Sequence, residues 1–251
     1  MGKWMRYFIA QACLLLTATV AFPAQSPSLF KDPHVPAPKV STTITPQELE
    51  LTARYEDLPL FLGKEQVSIL HYPGNASHAA ACSARGCGNG CTIGFGYNIG
   101  PRKAAKVLTE LTPIVGRAQA EVFAQYAGLT GQAAFDVCHK GVKDLPVMSR
   151  GDALRLLQYT MSGHKTQVLE RIASEGLRGV LNPQQIAVLV ALDYQNPQLS
   201  SRARMLWQHI HAGEFEQVAY NIQHRSGTKH LAALQTRRNK EAKLWRVASG
   251  L

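Results

Sequence analysis

The chain has 251 residues, 45% of them hydrophobic and 18% charged, which is enough apolar content for one well-packed domain and excludes wholesale disorder. Its formal net charge of +10 favours a polyanionic partner, such as an acidic cell-wall polymer, nucleic acid or an anionic membrane surface. The sequence contains no zinc-finger, ribonucleoprotein or His-Glu-x-x-His motif, so a nucleic-acid binder and a metallopeptidase are the weaker interpretations.

Residues 1–24 have the three-part layout of a secretory signal peptide. Lys3 and Arg6 precede an apolar run, and small residues follow at Ala21 and Ala24. The apolar run is short for a membrane span, although an uncleaved anchor is the alternative. Cleavage would remove two basic residues and leave a net charge of 10 − 2 = +8. We therefore expect an exported protein that is periplasmic or secreted, which argues against a nucleic-acid partner.

Export would remove Cys13 with the signal peptide and place the other four cysteines in an oxidising compartment. An even number of cysteines there predicts two disulfides, with three pairings open, among Cys82, Cys87, Cys91 and Cys138. A metal site built from three of these cysteines and a histidine matches no standard zinc spacing. We therefore expect no metal ion and no other cofactor.

Residues 25–44 contain four prolines and no periodic apolar pattern, which is typical of an extended linker or arm. Folded structure is predicted to begin at Thr45, because Thr45, Pro46 and Glu48 have the pattern of a capping box with proline at the first helical position. The folded domain is accordingly predicted to span residues 45–251.

Residues 71–91 combine turn residues with a stretch rich in alanine, serine, glycine and cysteine, and are predicted to form an irregular loop held by disulfides. Residues 91–100 alternate β-branched and aromatic residues with glycines, which predicts a short, tightly turned hairpin. The polar side chains of this hairpin are Thr92, Tyr97 and Asn98. They suggest the wall of a cleft, and a purely structural hairpin is the alternative.

The rest of the chain is predicted to be helical, so the fold class is α+β and mostly α. Residues 186–192 are apolar on all sides, which predicts a helix buried at the centre of the domain. Trp207 and Trp245 lie at helical spacing among apolar neighbours and are expected in the core. The predicted helices cover about residues 101–111, 117–126, 131–139, 149–172, 182–192, 201–211, 214–224 and 229–248.

Glu65 is the candidate proton donor of the cleft. It lies near the predicted end of the first helix among apolar neighbours, which disfavour the charged form of a carboxylic acid, as a general acid requires. A surface glutamate paired with Lys64 is the alternative.

Three stretches in the same order resemble a known family. A glutamate closing the first helix, an irregular loop and then Thr-Ile-Gly-Phe-Gly-Tyr-Asn at residues 92–98 resemble the phage-type lysozymes and the related bacteriocin pesticin. Residues 189–196 resemble the buried helix of that family, which ends in an aromatic residue and an amide at the cleft. Residues 207–219 and 234–241 resemble its closing segment and its Arg-Arg-x-x-Glu signature.

The resemblance implies a lysozyme-like fold with a small β-hairpin lobe and a larger helical lobe. It implies a muramidase that cuts peptidoglycan between N-acetylmuramic acid and N-acetylglucosamine, with Glu65 as general acid and Thr92 holding the water or the reacting carbon. The expected partner is the glycan strand, together with a possible immunity protein or inhibitor, and the chain is expected to be a monomer.

The remaining candidate site residues are expected to bind substrate, and several have structural alternatives. A turn histidine is often merely solvated, a polar residue at a helix end can be a C-cap, and an arginine of the signature can pair with Glu241 instead. The substrate-binding candidates are His71, Tyr72, Tyr97, Asn98, Gln195 and Arg237.

One departure from the family concerns the second carboxylate. No Asp or Glu occurs in residues 66–109, and Asn98 stands where the pesticin-like branch has an aspartate. Glycoside hydrolysis usually requires two carboxylates. Hydrolysis by Glu65, with Thr92 and Asn98 positioning water, is the preferred hypothesis. The alternatives are a lytic transglycosylase, in which the sugar's own hydroxyl closes a 1,6-anhydro ring, and a peptidoglycan-binding protein without activity.

Overall fold

The computed structural model describes residues 41–46, 48, 69–140, 145–195, 203–224 and 232–251. All of them belong to a unit that runs from Pro38 to Leu251. The expected signal peptide, most of the expected linker and the segment containing Glu65 lie outside the described residues. Within the described residues, no helix combines the length and the apolar content needed to cross a membrane.

The described part of the chain is mostly helical, with one small antiparallel sheet of two strands, which confirms the predicted class of α+β and mostly α. In chain order its elements are α1 (Ala76–Arg85), β1 (Thr92–Ile93), β2 (Tyr97–Asn98), α2 (Ala104–Val115), α3 (Arg117–Ala124), α4 (Gly131–Lys140), α5 (Arg150–Ser174), α6 (Pro183–Gln195), α7 (Arg204–His211), α8 (Phe215–Gln223) and α9 (Ala232–Ala248).

Helix α1 occupies the segment that was predicted to be an irregular loop, so that prediction is wrong for these ten residues. The Asn75 side chain caps the N-terminus by accepting a backbone hydrogen bond from the first turn, and Gly86 ends the helix with φ of 63°. Ala79 and Cys82 are the buried residues of α1. Because both are small, the segment shows no large apolar residues at helical spacing.

Three predicted helix starts, at Thr45, Ser149 and Asn182, are confirmed by their hydrogen bonds. Thr45 N–H donates to Glu48 Oε2 over 2.7 Å, and Glu48 N–H donates to Thr45 Oγ1 over 3.2 Å. Asn182 and Gln185 make the same reciprocal pair at 2.9 and 3.0 Å before α6. Ser149 caps α5 with its side chain. These side chains satisfy backbone donors that have no partner within the first turn of a helix.

Helix α2 continues through Pro113, although the proline was predicted to end it. Proline removes one backbone donor and disfavours the helix interior, but it does not prevent the next residues from staying helical. The helix ends instead at Gly116, which has φ of 81° and whose N–H donates to Thr112 O.

Helix α6 is the centre of the described structure. It is buried along its length from Gln185 to Asp193, and it packs against α5 and α9. The first residues of α6 also hold the end of α9, because Asn182 Nδ2 donates to Ala248 O over 2.6 Å and Gln185 Nε2 donates to Ser249 Oγ over 3.0 Å. The predictions that α6 is central and that both tryptophans belong to the core are confirmed.

The segment around the Thr45 capping box is joined to α5 by a buried ion pair. Lys165 is 3% exposed, and its Nζ lies 2.9 Å from Glu48 Oε2 and 2.8 Å from Thr43 O. Ile44 is buried beside them. Thr43 and Ile44, which close the expected linker, therefore pack against the domain. Because Glu48 also completes a capping box, one carboxylate fixes both its own helix start and its position against α5.

Removing the charge of Lys165 tests this anchor. We expect Lys165→Met to lower the free energy of unfolding by about 3–5 kcal/mol, because the substitution leaves the Glu48 carboxylate buried without its cation. Urea denaturation measures the change. The control is Lys103→Met, since Lys103 is exposed and makes no cap hydrogen bond. Equal unfolding midpoints for the two variants would contradict a structural role for the pair.

Candidate functional site at the hairpin

The predicted hairpin is present, with Thr92 paired to Asn98 and Ile93 paired to Tyr97. A three-residue turn, residues 94–96, joins the strands. Its first and last residues are glycines with φ of 62° and 94°, values that residues with a Cβ rarely adopt.

The base of the hairpin depends on a close contact between two glycines. A Cβ on Gly90 would lie 2.4 Å from Gly100 Cα, and a Cβ on Gly100 would lie 2.5 Å from Gly90 Cα. Either Cβ would also lie within 2.5 Å of the Leu129 carbonyl oxygen. The carbonyl of Gly100 accepts a hydrogen bond of 2.9 Å from Gly128 N–H. The hairpin is therefore fixed against the segment that follows α3.

His71 extends the pairing beyond the hairpin. His71 N–H donates to Thr92 O over 2.9 Å, and Thr92 N–H donates to His71 O over 2.7 Å. Thr92 in turn lies opposite Asn98. Directly opposed residues in antiparallel strands point to the same face, so three candidate site residues form one line across that face. We call His71, Thr92 and Asn98 the hairpin row.

Two members of the hairpin row present hydrogen-bond acceptors. His71 Nδ1 lies 3.0 Å from Ile69 O, and since a carbonyl can only accept, Nδ1 donates to it; in a neutral ring this makes Nε2 the nitrogen that can accept. Thr92 is 4% exposed, and its Oγ1 donates its proton to Gly90 O over 3.2 Å, so the acceptor capacity of this buried hydroxyl is in its lone pairs. Both groups are thus oriented by backbone carbonyls.

Asn98 is held by its own side chain. Its Nδ2 donates to Gly88 O over 2.9 Å, and its Oδ1 accepts from Gly100 N–H over 3.1 Å. An amide nitrogen carries two protons, so this geometry fixes the group and leaves it a second donor. The side chain is half-buried. Asn98 is therefore an amide that two backbone groups hold in a fixed orientation.

Tyr97 was expected to bind substrate, but its side chain is 2% exposed and belongs to the core. Its hydroxyl donates to Glu110 Oε2 over 2.5 Å, and Arg102 Nη1 lies 3.1 Å from the same oxygen. Burial, reinforced by the hydrogen bond to Glu110, raises the pKa of Tyr97 well above its usual range. Tyr97 is therefore a neutral phenol that joins the hairpin to α2. This contact could not be predicted from local spacing, because Glu110 is 13 positions away.

Tyr72 was also expected at the cleft and is instead 1% exposed. Its ring meets the edge of Phe135 at 5.8 Å between centroids, and its hydroxyl lies 3.4 Å from His78 Nδ1. Burial raises the pKa of Tyr72. Residues 71 and 72 point to opposite faces of the extended segment, so one joins the hairpin row and the other packs inward.

Arg237 is 2% exposed, so it does not present its guanidinium to a substrate at the surface as was expected. Its Nε donates to Glu241 Oε1 over 2.9 Å, and its Nη2 donates to Ala191 O over 3.0 Å. Arg238 pairs with the other oxygen of Glu241. This buried cluster joins α9 to α6, which was the structural alternative for the signature arginines.

The end of α6 reaches the turn of the hairpin. Tyr194 Oη donates to Phe95 O over 2.5 Å. Gln195, the last residue of α6, is half-buried, and its Oε1 is shielded with no hydrogen-bond partner in the part of the chain that the structure describes. Sequence reasoning missed the neighbouring pair of Asp193 and His164, whose Oδ2 and Nδ1 are 2.9 Å apart, because 29 positions separate them.

The four cysteines form two neighbouring pairs. Cys82 and Cys87 form a disulfide, which confirms one of the two that were expected. Cys91 and Cys138 are buried thiols whose sulfurs are 3.2 Å apart. The hydrogen bond from Cys138 lowers the pKa of Cys91, and together with burial this hydrogen bond raises the pKa of Cys138. The sequence left three disulfide pairings open. The structure pairs Cys82 with Cys87 and places Cys91 beside Cys138.

Mild oxidation should join Cys91 to Cys138, because their sulfurs are already in contact. We expect diamide to remove two thiols and to raise the free energy of unfolding by about 2–4 kcal/mol, since the bond closes a loop of 47 positions. Peptide mapping without reduction identifies the cross-link, and urea denaturation measures the gain. Cys138→Ser serves as the control that cannot form the bond. A cross-link between either thiol and Cys82 or Cys87 would contradict the observed pairing.

Glu65 lies outside the described residues, so the described site consists of the hairpin row and its supports. Across the ranges that the structure describes, no group of three metal-ligating side chains comes together. In comparisons with known proteins, neither a protein-family model nor a curated protein matches the chain.

Proposed function

We propose that the protein is a peptidoglycan-cleaving glycosidase, a muramidase that hydrolyses the bond between N-acetylmuramic acid and N-acetylglucosamine. The observation that supports the proposal is the hairpin row, because His71, Thr92 and Asn98 share one face of the sheet. The proposed setting is a lysozyme-like cleft between a small β-hairpin lobe and a larger helical lobe. The basic charge of the chain suits an acidic wall polymer reached after export.

In the proposed reaction Glu65 protonates the glycosidic oxygen as the bond to the anomeric carbon breaks. A water molecule attacks that carbon, and Thr92 Oγ1 accepts one of its hydrogen bonds. Asn98 Nδ2 uses its second proton to hold the same water or the substrate's acetamido oxygen. These two groups position the water, and neither accepts a proton at neutral pH.

The proton that the attacking water loses requires a base, and residues 66–109 contain no carboxylate. In our proposal His71 Nε2 takes that proton, because a neutral imidazole is basic near pH 7 and this ring already carries its own proton on Nδ1. The hairpin row thus supplies an imidazole where related enzymes use a second carboxylate. The protons balance, because Glu65 gives one proton to the glycosidic oxygen and His71 takes one from the attacking water. Both side chains then return to their starting protonation states by exchange with solvent.

Replacing the general acid tests the proposed activity. We expect Glu65→Gln to reduce the release of soluble muropeptides from purified peptidoglycan by at least about 100-fold, because general acid catalysis contributes about 10²–10⁴-fold. Mass spectrometry of the products measures release and bond type. Glu170→Gln, which removes an exposed charge on α5, is the matched control and should keep full activity.

The products separate hydrolysis from the alternatives. Reducing ends support the muramidase, whereas chain ends lighter by one water would indicate a lytic transglycosylase. Equal release by the wild type and Glu65→Gln would contradict catalysis by this glutamate. Binding to sacculi without any release would leave a glycan-binding protein as the function.

A second pair of substitutions tests the base. His71→Asn keeps a donor toward Ile69 O but removes the basic nitrogen, and we expect muropeptide release to fall by about 100-fold or more. Adding Asn98→Asp should restore much of the activity, because it places a carboxylate in the same row. Asn75→Asp adds the same charge at the exposed cap of α1 and should restore nothing. Full activity of His71→Asn alone would show that this ring is not the base.

A further inference from the structure

A groove separate from the hairpin lies where the last turn of α5 meets one face of α7. It encloses about 550 Å³, which is large enough for a small organic ligand. Helix α7 contributes Arg204, Trp207, Gln208 and His211, whose spacing of three and four positions places them on one side of the helix. Arg171 lines the opposite wall.

The Arg171 guanidinium packs over the Trp207 ring, and its Nε–H donor has no hydrogen-bond partner among the described residues. The guanidinium lies 5.7 Å from the centre of the Trp207 ring, and its Nη2 pairs with Glu175. Its Nε is shielded from solvent and has no hydrogen-bond partner within the described ranges of the chain. A buried donor without an acceptor is unfavourable, so a ligand acceptor that lets this guanidinium reorient would be favoured.

The charges of the groove suit a ligand with one negative charge. Two guanidinium groups and the Glu175 carboxylate leave one net positive charge when His211 is neutral. His211 Nε2 lies 3.2 Å from Glu175 Oε2, so this carboxylate is already held from both sides. Arg204 is exposed and makes no ion pair with the described residues. A ligand with a single negative charge matches this net charge better than a doubly charged phosphate, and a carboxylate can accept bidentate hydrogen bonds from an arginine.

We propose that this groove binds the terminal carboxylate of a short peptide, with Arg204 and Arg171 holding the carboxylate and the Trp207 ring supporting Arg171 from the core side. Peptidoglycan carries such peptides on its muramic acid units. Assigning the ligand to wall peptides rests on the proposed function, whereas binding of a peptide carboxylate by the groove does not.

The test is a titration of the Glu65→Gln protein with N-acetyl-D-alanyl-D-alanine, followed by calorimetry and by the NMR signals of the Arg171 Nε–H and Trp207 indole N–H groups. We expect saturable binding that shifts both signals while the indole signal of Trp245, which does not line the groove, stays in place. The C-terminal amide of the same dipeptide should bind at least about tenfold more weakly, because it cannot form the bidentate charged pair.

Two substitutions that each remove one positive charge distinguish specific binding in the groove from non-specific attraction to a basic surface. Arg204→Gln should weaken binding of the dipeptide at least about tenfold, whereas Arg178→Gln removes an exposed arginine outside the groove and should leave binding unchanged. Equal effects of the two variants, equal binding of acid and amide, equally tight competition by inorganic phosphate, or no binding at millimolar dipeptide would each overturn the proposal. Binding that persists when the wild type releases no muropeptides would refute the muramidase alone.

Discussion

The hairpin holds its position because two backbones touch at its base with no side chain between them. Any residue larger than glycine at Gly90 or Gly100 would bring a Cβ within 2.5 Å of a neighbouring Cα, a distance that only backbone movement relieves. This contact also sets the register, since Thr92 follows the first glycine by two positions and Asn98 precedes the second by two. The alignment of the hairpin row with His71 therefore depends on a contact that involves no functional side chain.

The polar residues of this small sheet fall into two groups: those on the face of the hairpin row and those turned toward the helices. Alternation along the strands places Thr92 and Asn98 on the face of the hairpin row and turns Tyr97 toward α2 and its carboxylate. Tyr72 is turned inward by the same rule one strand away. A polar residue in a glycine-rich hairpin is thus as available for fixing the lobe as for contacting a ligand, and burial alone does not distinguish the two cases, since Thr92 is 4% exposed and Tyr97 2%.

Local chemistry in the sequence predicts helix starts well, because a cap and its partner are three positions apart, as for Thr45, Ser149 and Asn182. Helix α1 was missed because small residues fill its buried side. Of the candidate site residues, His71, Thr92 and Asn98 come together in the structure, whereas Tyr72, Tyr97 and Arg237 are buried elsewhere. The pairing of His71 with Thr92, and the burial of Arg237 against Ala191, join distant positions, and neither periodicity nor motif spacing encodes such contacts.

The bonds between the start of α6 and the end of α9 have a consequence for biosynthesis. Asn182 is synthesised 66 positions before Ala248, its partner, which at about 5–20 residues per second is a delay on the order of 3 to 13 seconds. During that interval the nascent chain contains a largely apolar helix that α9 does not yet cover, and the Asn182 and Gln185 side chains lack their acceptors on Ala248 and Ser249. Exposed apolar surface of this kind is what chaperones bind, so this protein should depend on them most while its last quarter is still being made.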